Sequence, residues 1–233
     1  MKTIAVIPAG GKGVRSGIAT PKQYLKFHNK ELIAYTLDVF QHNKLIDEII
    51  ISAEPSYFDL LKTLKTKFHF SKISNIVEGG NTRQNSVYNA LKSMETVSEN
   101  VLVVVHDAVR PLLPQNVLTN AIETAKQKGN ALVCIKAKDT LVKGNQVVET
   151  YLDRDEVYYV QTPQIFLYSV LMKAMENAYE NNYIGTDESM LVRQIGEKVN
   201  IVEGSVYNFK VTTAEVVEMF EALTLAYSRK KID

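Results

Sequence analysis

Short apolar runs alternate with amphipathic stretches along this chain, and that alternation limits what it can fold into. Runs at 4–7, 48–52, 75–77, 101–105, 131–135 and 199–202 have the length and composition of buried strands. Between them, residues 32–42, 57–67, 82–94, 115–128 and 170–181 place apolar side chains at helical spacing. Strand–helix–strand repetition predicts βαβ units with right-handed crossovers. The fold class expected is α/β, a Rossmann-like three-layer architecture around a mostly parallel sheet. At 233 residues and 45% hydrophobic content, the chain is read as a single domain over 1–233 with a sizeable core.

One segment breaks the alternation. Within 136–160, two β-like runs, 140–142 and 146–151, flank Lys143-Gly144-Asn145, a turn-forming tripeptide. An inserted β-hairpin arm is expected there, either an ordinary edge hairpin or a projecting arm used in dimerisation.

Charge and cysteine content narrow the partners. Lys and Arg total 27 against 26 Asp and Glu, so the formal net charge is +1. No global field favours nucleic acid or an anionic membrane, and neither is expected as a partner. Cys134 is the only cysteine, which excludes an intramolecular disulfide and suits a reducing, cytoplasmic setting. The N-terminal apolar run is short and broken by Pro8, unlike a secretory signal or a spanning helix.

The chemistry-bearing segments fall where the expected strands end, the edge of an α/β sheet that binds ligands. After the first run comes Pro8-Ala9-Gly10-Gly11-Lys12-Gly13-Val14-Arg15-Ser16-Gly17, followed by Pro21-Lys22-Gln23-Tyr24. Glycines let backbone N–H groups approach an anion, and Arg15 and Lys22 add fixed positive charge. The spacing fits neither G-x-G-x-x-G, because Ser16 stands at the third glycine position, nor a Walker A loop. Residues 101–105 feed into His106-Asp107-Ala108-Val109-Arg110-Pro111. Asp107 suits a Mg²⁺ ion shared with phosphate oxygens, or else a salt bridge to Arg110 that caps the loop. No catalytic role is assigned to His106. Gly79-Gly80-Asn81-Thr82-Arg83 leads into a helix carrying Ser86, with Asn81 or Thr82 as its cap. Residues 208–212 read as a β-like run bearing Lys210.

Taken together, PAGGKGVRSG (8–17), PKQY (21–24), GGNTRQNSV (79–87), HDAVRP (106–111), KDT (138–140), LDR (152–154), QTPQ (161–164), TDE (186–188) and NFKVT (208–212) resemble one family. It is that of the 2-C-methyl-D-erythritol 4-phosphate cytidylyltransferases of the non-mevalonate isoprenoid pathway, and the match runs from about residue 4 to 213. The resemblance implies a Mg²⁺-dependent transfer of CMP from CTP to a sugar alcohol phosphate, both small-molecule substrates. Arg15, Lys22, Arg154 and Lys210 would be catalytic. Ala9, Gly10, Gly11, Lys12, Gly13, Gly80, Arg83, Ser86, Asp107 and Ala108 would surround the nucleotide, with Asp107 binding the metal. Thr140, Arg154, Thr162 and Lys210 would hold the second substrate. The family's arm is exchanged between subunits, which implies a homodimer.

Elementary chemistry agrees with that reaction. A phosphate monoester is mostly ionised near neutral pH, its second pKa being about 6, so the nucleophile needs no strong base. The repulsion between two anionic substrates must instead be offset by cations. Two rival readings are a ribitol-5-phosphate cytidylyltransferase, which shares the reaction, and a non-catalytic nucleotide-binding module, which would not need the paired Arg15 and Lys22.

Overall fold

The computed structural model describes residues 1–11, 20–94 and 100–229, with backbone alone for 226–229. Strand β1 (Lys2–Ala9) is followed by a 3₁₀ turn (Lys22–Tyr24) and a two-stranded ribbon, β2 (Lys26–Phe27) and β3 (Lys30–Glu31). Then come α1 (Leu32–His42), β4 (Glu48–Ala53), α2 (Phe58–Lys67), β5 (Ile73–Glu78), α3 (Arg83–Lys92) and β6 (Val101–Val105). The chain continues through α4 (Gln115–Lys128), β7 (Asn130–Lys136), β8 (Leu141–Gly144), β9 (Val148–Leu152) and β10 (Tyr158–Leu167). Helices α5 (Tyr168–Glu180) and α6 (Glu188–Gln194), strand β11 (Ile201–Glu203) and α7 (Ala214–Arg229) complete it.

Seven strands form one sheet in the order β11-β7-β10-β6-β1-β4-β5. All neighbours pair in parallel except β10, which runs antiparallel to both β6 and β7. The expected three layers follow from the side-chain alternation of the central strands. Ala5, Ile7, Leu102 and Val104 face a core closed by α1, α2 and α4. Ile4, Val6, Val103 and Val105 face the opposite core, closed by α3, α5 and α6. Strands buried on both faces read as continuous apolar runs, which is why β6 was delimited to the residue by composition. A third small cluster, Phe27, Leu32, Val211 and Phe220, seats α7.

Four expectations need correction. β10 was not anticipated, because Gln161-Thr162-Pro163-Gln164 is polar and Pro163 cannot donate to a ladder. The strand accommodates Pro163 at an irregularity, where the register with β7 shifts between Val160 and Gln164. Residues 208–212 form no strand; the segment is held by a single backbone bond of that kind, from Val211 N–H to the Val109 carbonyl at 2.9 Å. The last strand lies at Ile201–Glu203 and not at 199–202. In the arm, Lys143 and Gly144 belong to β8, and the reversal falls on residues 145–147.

The order of the central strands has one functional consequence. From β1 the chain proceeds to β4 and β5 on one side, and then returns to β6 on the other. This reversal is a topological switch point, and the crevice beyond the carboxyl ends of β1 and β6 is where such sheets take ligands.

Candidate active site

Ala9, the last residue of β1, and Asp107, two residues past β6, both open onto a cavity of about 690 Å³ at that switch point. Gly10, Gly11, Lys22, Gly80, Arg83, Ser86, Ala108 and Lys210 also line it. Ten of the residues singled out in the sequence are thus gathered round one opening. Lys12, Gly13 and Arg15 lie outside the described residues.

The entry to the glycine loop is pinned from below. The Gln23 side-chain amide donates to the carbonyls of Ala9 at 2.8 Å and Gly11 at 2.9 Å. The Tyr24 hydroxyl reaches the Ala9 carbonyl at 3.3 Å, and its ring stacks on Tyr57 with centroids 4.0 Å apart. Gly10 lies directly against Gly79: a Cβ on Gly79 would come within 3.3 Å of Gly10 Cα. At Gly80 a Cβ would overlap that of Asn85, so only glycine fits there. Thr82 caps α3 by accepting from Asn85 N–H at 3.0 Å. Ser86 accepts from Gly80 N–H at 3.0 Å and donates to the Thr82 carbonyl at 2.9 Å. Its hydroxyl therefore braces the Gly80 turn from within the helix.

Asp107 is the electrostatic centre. Arg83 Nε donates to its Oδ1 at 2.9 Å; Arg110 Nε at 3.3 Å and Lys210 Nζ at 3.1 Å reach Oδ2. Burial alone would push this carboxyl up in pKa, but Arg83, then Lys210 and Arg110, outweigh it and hold it well below the usual carboxylate range. Arg83 and Arg110 each have a second anchor. Arg83 Nη1 donates to Glu188 at 2.6 Å, and Arg110 Nη1 to the Asn208 carbonyl at 2.7 Å. Lys210, with 41% of its side chain exposed, is the least confined of the three.

Behind Asp107 runs a buried polar chain. Asp107 N–H donates to the Thr162 hydroxyl at 3.1 Å, and that hydroxyl lies 3.0 Å from His106 Nδ1. The other ring nitrogen of His106 is 3.1 Å from the Arg110 carbonyl and can only donate to it. A neutral imidazole protonated at Nε2 satisfies every partner, and burial lowers the His106 pKa to about 4. Both ring nitrogens of His106 are thus engaged within the fold. Thr162 stands behind the acid with its hydroxyl already engaged, away from the cavity lining.

The two arm residues are elsewhere. Thr140 is exposed just before β8, and Arg154, exposed beyond β9, donates to the Lys138 carbonyl at 3.3 Å. Neither lines the cavity of its own chain. Gln23, Glu188 and Asn208 fall within segments the sequence singles out (PKQY, TDE and NFKVT), but none of the three carries a role there. Each acts through tertiary contacts, and the first two have partners 12 to 105 residues away.

The donor set also fits a divalent cation shared with a ligand. A carboxylate offers about four lone-pair positions, and three cations occupy three of those on Asp107. One remains, and Lys210 is free enough to yield another. Among the described residues no group of three His, Cys, Asp or Glu side chains gathers to cage a metal. A hard ion held by one carboxylate and substrate phosphates is the arrangement Mg²⁺ commonly takes.

A switch-point cavity with a cation-ringed acid at the end of one strand and glycines at the end of its neighbour suits the phosphates of a nucleotide, the class of site a nucleotidyltransferase needs. Residues 3–225 match the 2-C-methyl-D-erythritol 4-phosphate cytidylyltransferase family, and the chain belongs to it. It is accordingly an enzyme, a cytidylyltransferase. The enzyme of that name from Lysinibacillus sphaericus is 36% identical, with 96% of each chain covered. Its counterpart from Geobacter metallireducens is 38% identical, covering 95% of this chain and 97% of that one. Among solved structures, 4-diphosphocytidyl-2C-methyl-D-erythritol synthase from Anaerococcus prevotii superposes with a TM-score of 0.84 at 29% identity, covering 96% of both chains. The Francisella tularensis 2-C-methyl-D-erythritol 4-phosphate cytidylyltransferase gives 0.79 at 30% identity, covering 94% and 98%.

Proposed function

We propose that this chain transfers CMP from CTP to 2-C-methyl-D-erythritol 4-phosphate, giving 4-diphosphocytidyl-2-C-methyl-D-erythritol and pyrophosphate. The observation that carries the reading is the convergence of Lys22, Arg83, Asp107 and Lys210 on one cavity at the sheet's switch point, in a chain of this family. A phosphate monoester oxygen attacks the α-phosphorus of CTP; an O–P bond forms and the bond to the pyrophosphate oxygen breaks. The nucleophile is already ionised, so no side chain has to remove a proton. The protein's contribution is alignment and charge.

Each residue has a part in that division of work. Backbone amides of Gly10, Gly11, Lys12 and Gly13 cradle the phosphates, and Ala9, Gly80, Arg83, Ser86 and Ala108 wall the nucleoside. Lys22 and Arg15 stabilise the charge that builds on the α-phosphate. Lys210 and Arg154 hold the attacking phosphate, with Thr140 on the same substrate; Thr162, whose hydroxyl is engaged behind Asp107, serves that substrate only by fixing the acid. Asp107 would hold Mg²⁺, which when bound neutralises charge on the triphosphate and on the departing pyrophosphate.

The arm supports a homodimer in which Thr140 and Arg154 serve the neighbouring subunit's cavity. Its strands leave Val142, Val148, Tyr151 and Leu152 exposed, an apolar surface that a second copy would cover. Light scattering against concentration tests this, with a dimer expected at micromolar protein. A single buried cysteine and phosphorylated substrates favour a cytoplasmic setting; among the described residues no helix is long and apolar enough to cross a membrane.

Purified protein with CTP and Mg²⁺, given each sugar alcohol phosphate in turn, decides the substrate. Pyrophosphate release with methylerythritol phosphate is expected. Release with ribitol 5-phosphate alone would overturn the assignment.

A further inference from the structure

We propose that Glu188 is a positioning residue of the nucleotidyl-transfer site, acting through Arg83 on Asp107; this rests on the function proposed above. Glu188 opens α6 and is 1% exposed, an expensive place for a carboxylate unless the charge has a use. Its Oε1 accepts from Arg83 Nη1 at 2.6 Å, and Arg83 turns its Nε to Asp107 at 2.9 Å.

The pairing is not the one that would best stabilise Glu188 itself. An arginine and a carboxylate are strongest as a two-pronged fork. Here Glu188 Oε2 and Arg83 Nη2 are both buried without a protein hydrogen-bond partner. The guanidinium is instead shared between two acids, one prong to each. Glu188 thereby keeps Arg83 from closing on Asp107 with both of its nitrogens and leaves a lone-pair position of that acid open. It also sets the charge: Arg83, Arg110 and Lys210 against Asp107 and Glu188 leave one positive charge in excess.

The carboxylate is rigidly mounted. Asp187, the α6 cap, accepts from Met190 N–H at 2.9 Å and from Gln164 Nε2 at 3.0 Å. Gln164 Oε1 in turn accepts from Ser189 N–H at 2.9 Å. Because Gln164 belongs to β10, which pairs with β6, Glu188 is referenced to the same sheet that carries Asp107. The Thr186-Asp187-Glu188 segment, which the sequence singles out without a role, acquires one.

The test separates orientation from bulk stability. Glu188→Gln keeps the shape and removes the charge; Glu188→Asp keeps the charge and withdraws it by one methylene. Both are expected to lose about tenfold or more in kcat. CTP affinity by calorimetry should fall far less than kcat in both variants, since Arg83 stays at the nucleoside wall and only its alignment with Asp107 is lost. Turnover within twofold of native in both variants, or kcat and CTP affinity falling together, overturns the proposal. In the unaltered protein the Arg83 Nε–H resonance should be protected from solvent exchange, and should lose that protection in Glu188→Gln. An unprotected Nε–H in the native protein also overturns it, whether or not either variant folds. If the native protein turns over neither sugar alcohol phosphate, the proposed function fails, while CTP affinity and the Arg83 resonance still decide the role of Glu188.

Discussion

The Gln23 side chain donates to the Ala9 carbonyl at 2.8 Å, tying the residue after Lys22 to the last residue of the first strand. The same amide also holds the Gly11 carbonyl. Both bonds fix the backbone at the point where the chain leaves the first strand.

Gln23→Leu removes these bonds at nearly constant volume. Gln23 and Ala9 are buried, so the Ala9 carbonyl is left with only its 3.3 Å bond from Tyr24, while water can reach the exposed Gly11. A loss of about 1–3 kcal/mol is expected in urea unfolding. CTP affinity should weaken several-fold, with the KM for the sugar alcohol phosphate little changed. An unaltered CTP titration would remove Gln23 from the loop's architecture.

Glycines at the cavity differ in what they tolerate. A side chain on Gly80 collides with Asn85, within the first turn of α3, whereas a Cβ on Gly11 meets nothing within 4 Å among the described residues. Gly80→Ala should cost on the order of 2 kcal/mol or more by displacing that turn and its Thr82 cap. Gly11→Ala should stay within about 0.5 kcal/mol of native. Thermal melts of the two proteins side by side check the contrast.

These contrasts show what could be read in the chain beforehand. Helices α1 and α4 and strand β6 were delimited to the residue, because a buried face imposes its period directly on sequence. The cavity's cations and acid were legible because parallel strands deliver their carboxyl ends to one edge. β10 was not, since Pro163 obscures its apolar pattern. Nor was Glu188, whose meaning lies in Arg83, 105 residues away. Long-range ion pairs leave no periodic trace.

Lys22 sits on the cavity rim immediately after Pro21. Its assigned work is on charge that develops only during transfer, so Lys22→Ala should lower kcat by about 10² with a small effect on CTP affinity. Steady-state kinetics paired with equilibrium CTP binding resolve the two. Loss of binding with kcat intact would reassign Lys22 to ground-state attraction.

Cys134 lies in β7 at 2% exposure, and burial pushes its thiol up to about 11. The reactive species is the thiolate, so at pH 7–8 the folded protein should react with a disulfide reagent far more slowly than the unfolded chain. As the folded-state pKa lies above that of a free thiol, reactivity should climb only toward pH 11. Rapid labelling of the native protein at pH 7.5 would contradict the buried placement.

The proposed exchange of arms makes a prediction that no monomeric enzyme can satisfy. Lys22 lines the cavity of its own chain, whereas Arg154 is carried on the arm and would serve the neighbour's. Lys22→Ala and Arg154→Ala should each be nearly inactive alone. In a mixed dimer the two defects fall on the same site, and the other site is assembled entirely from native residues. Random reassortment makes half of the dimers mixed, each with one intact site of two, so about a quarter of native activity should return. Co-refolding equal amounts of the two variants and measuring pyrophosphate release tests this. Recovery of nothing beyond the separate variants would place Arg154 in the site of its own chain, or outside any site.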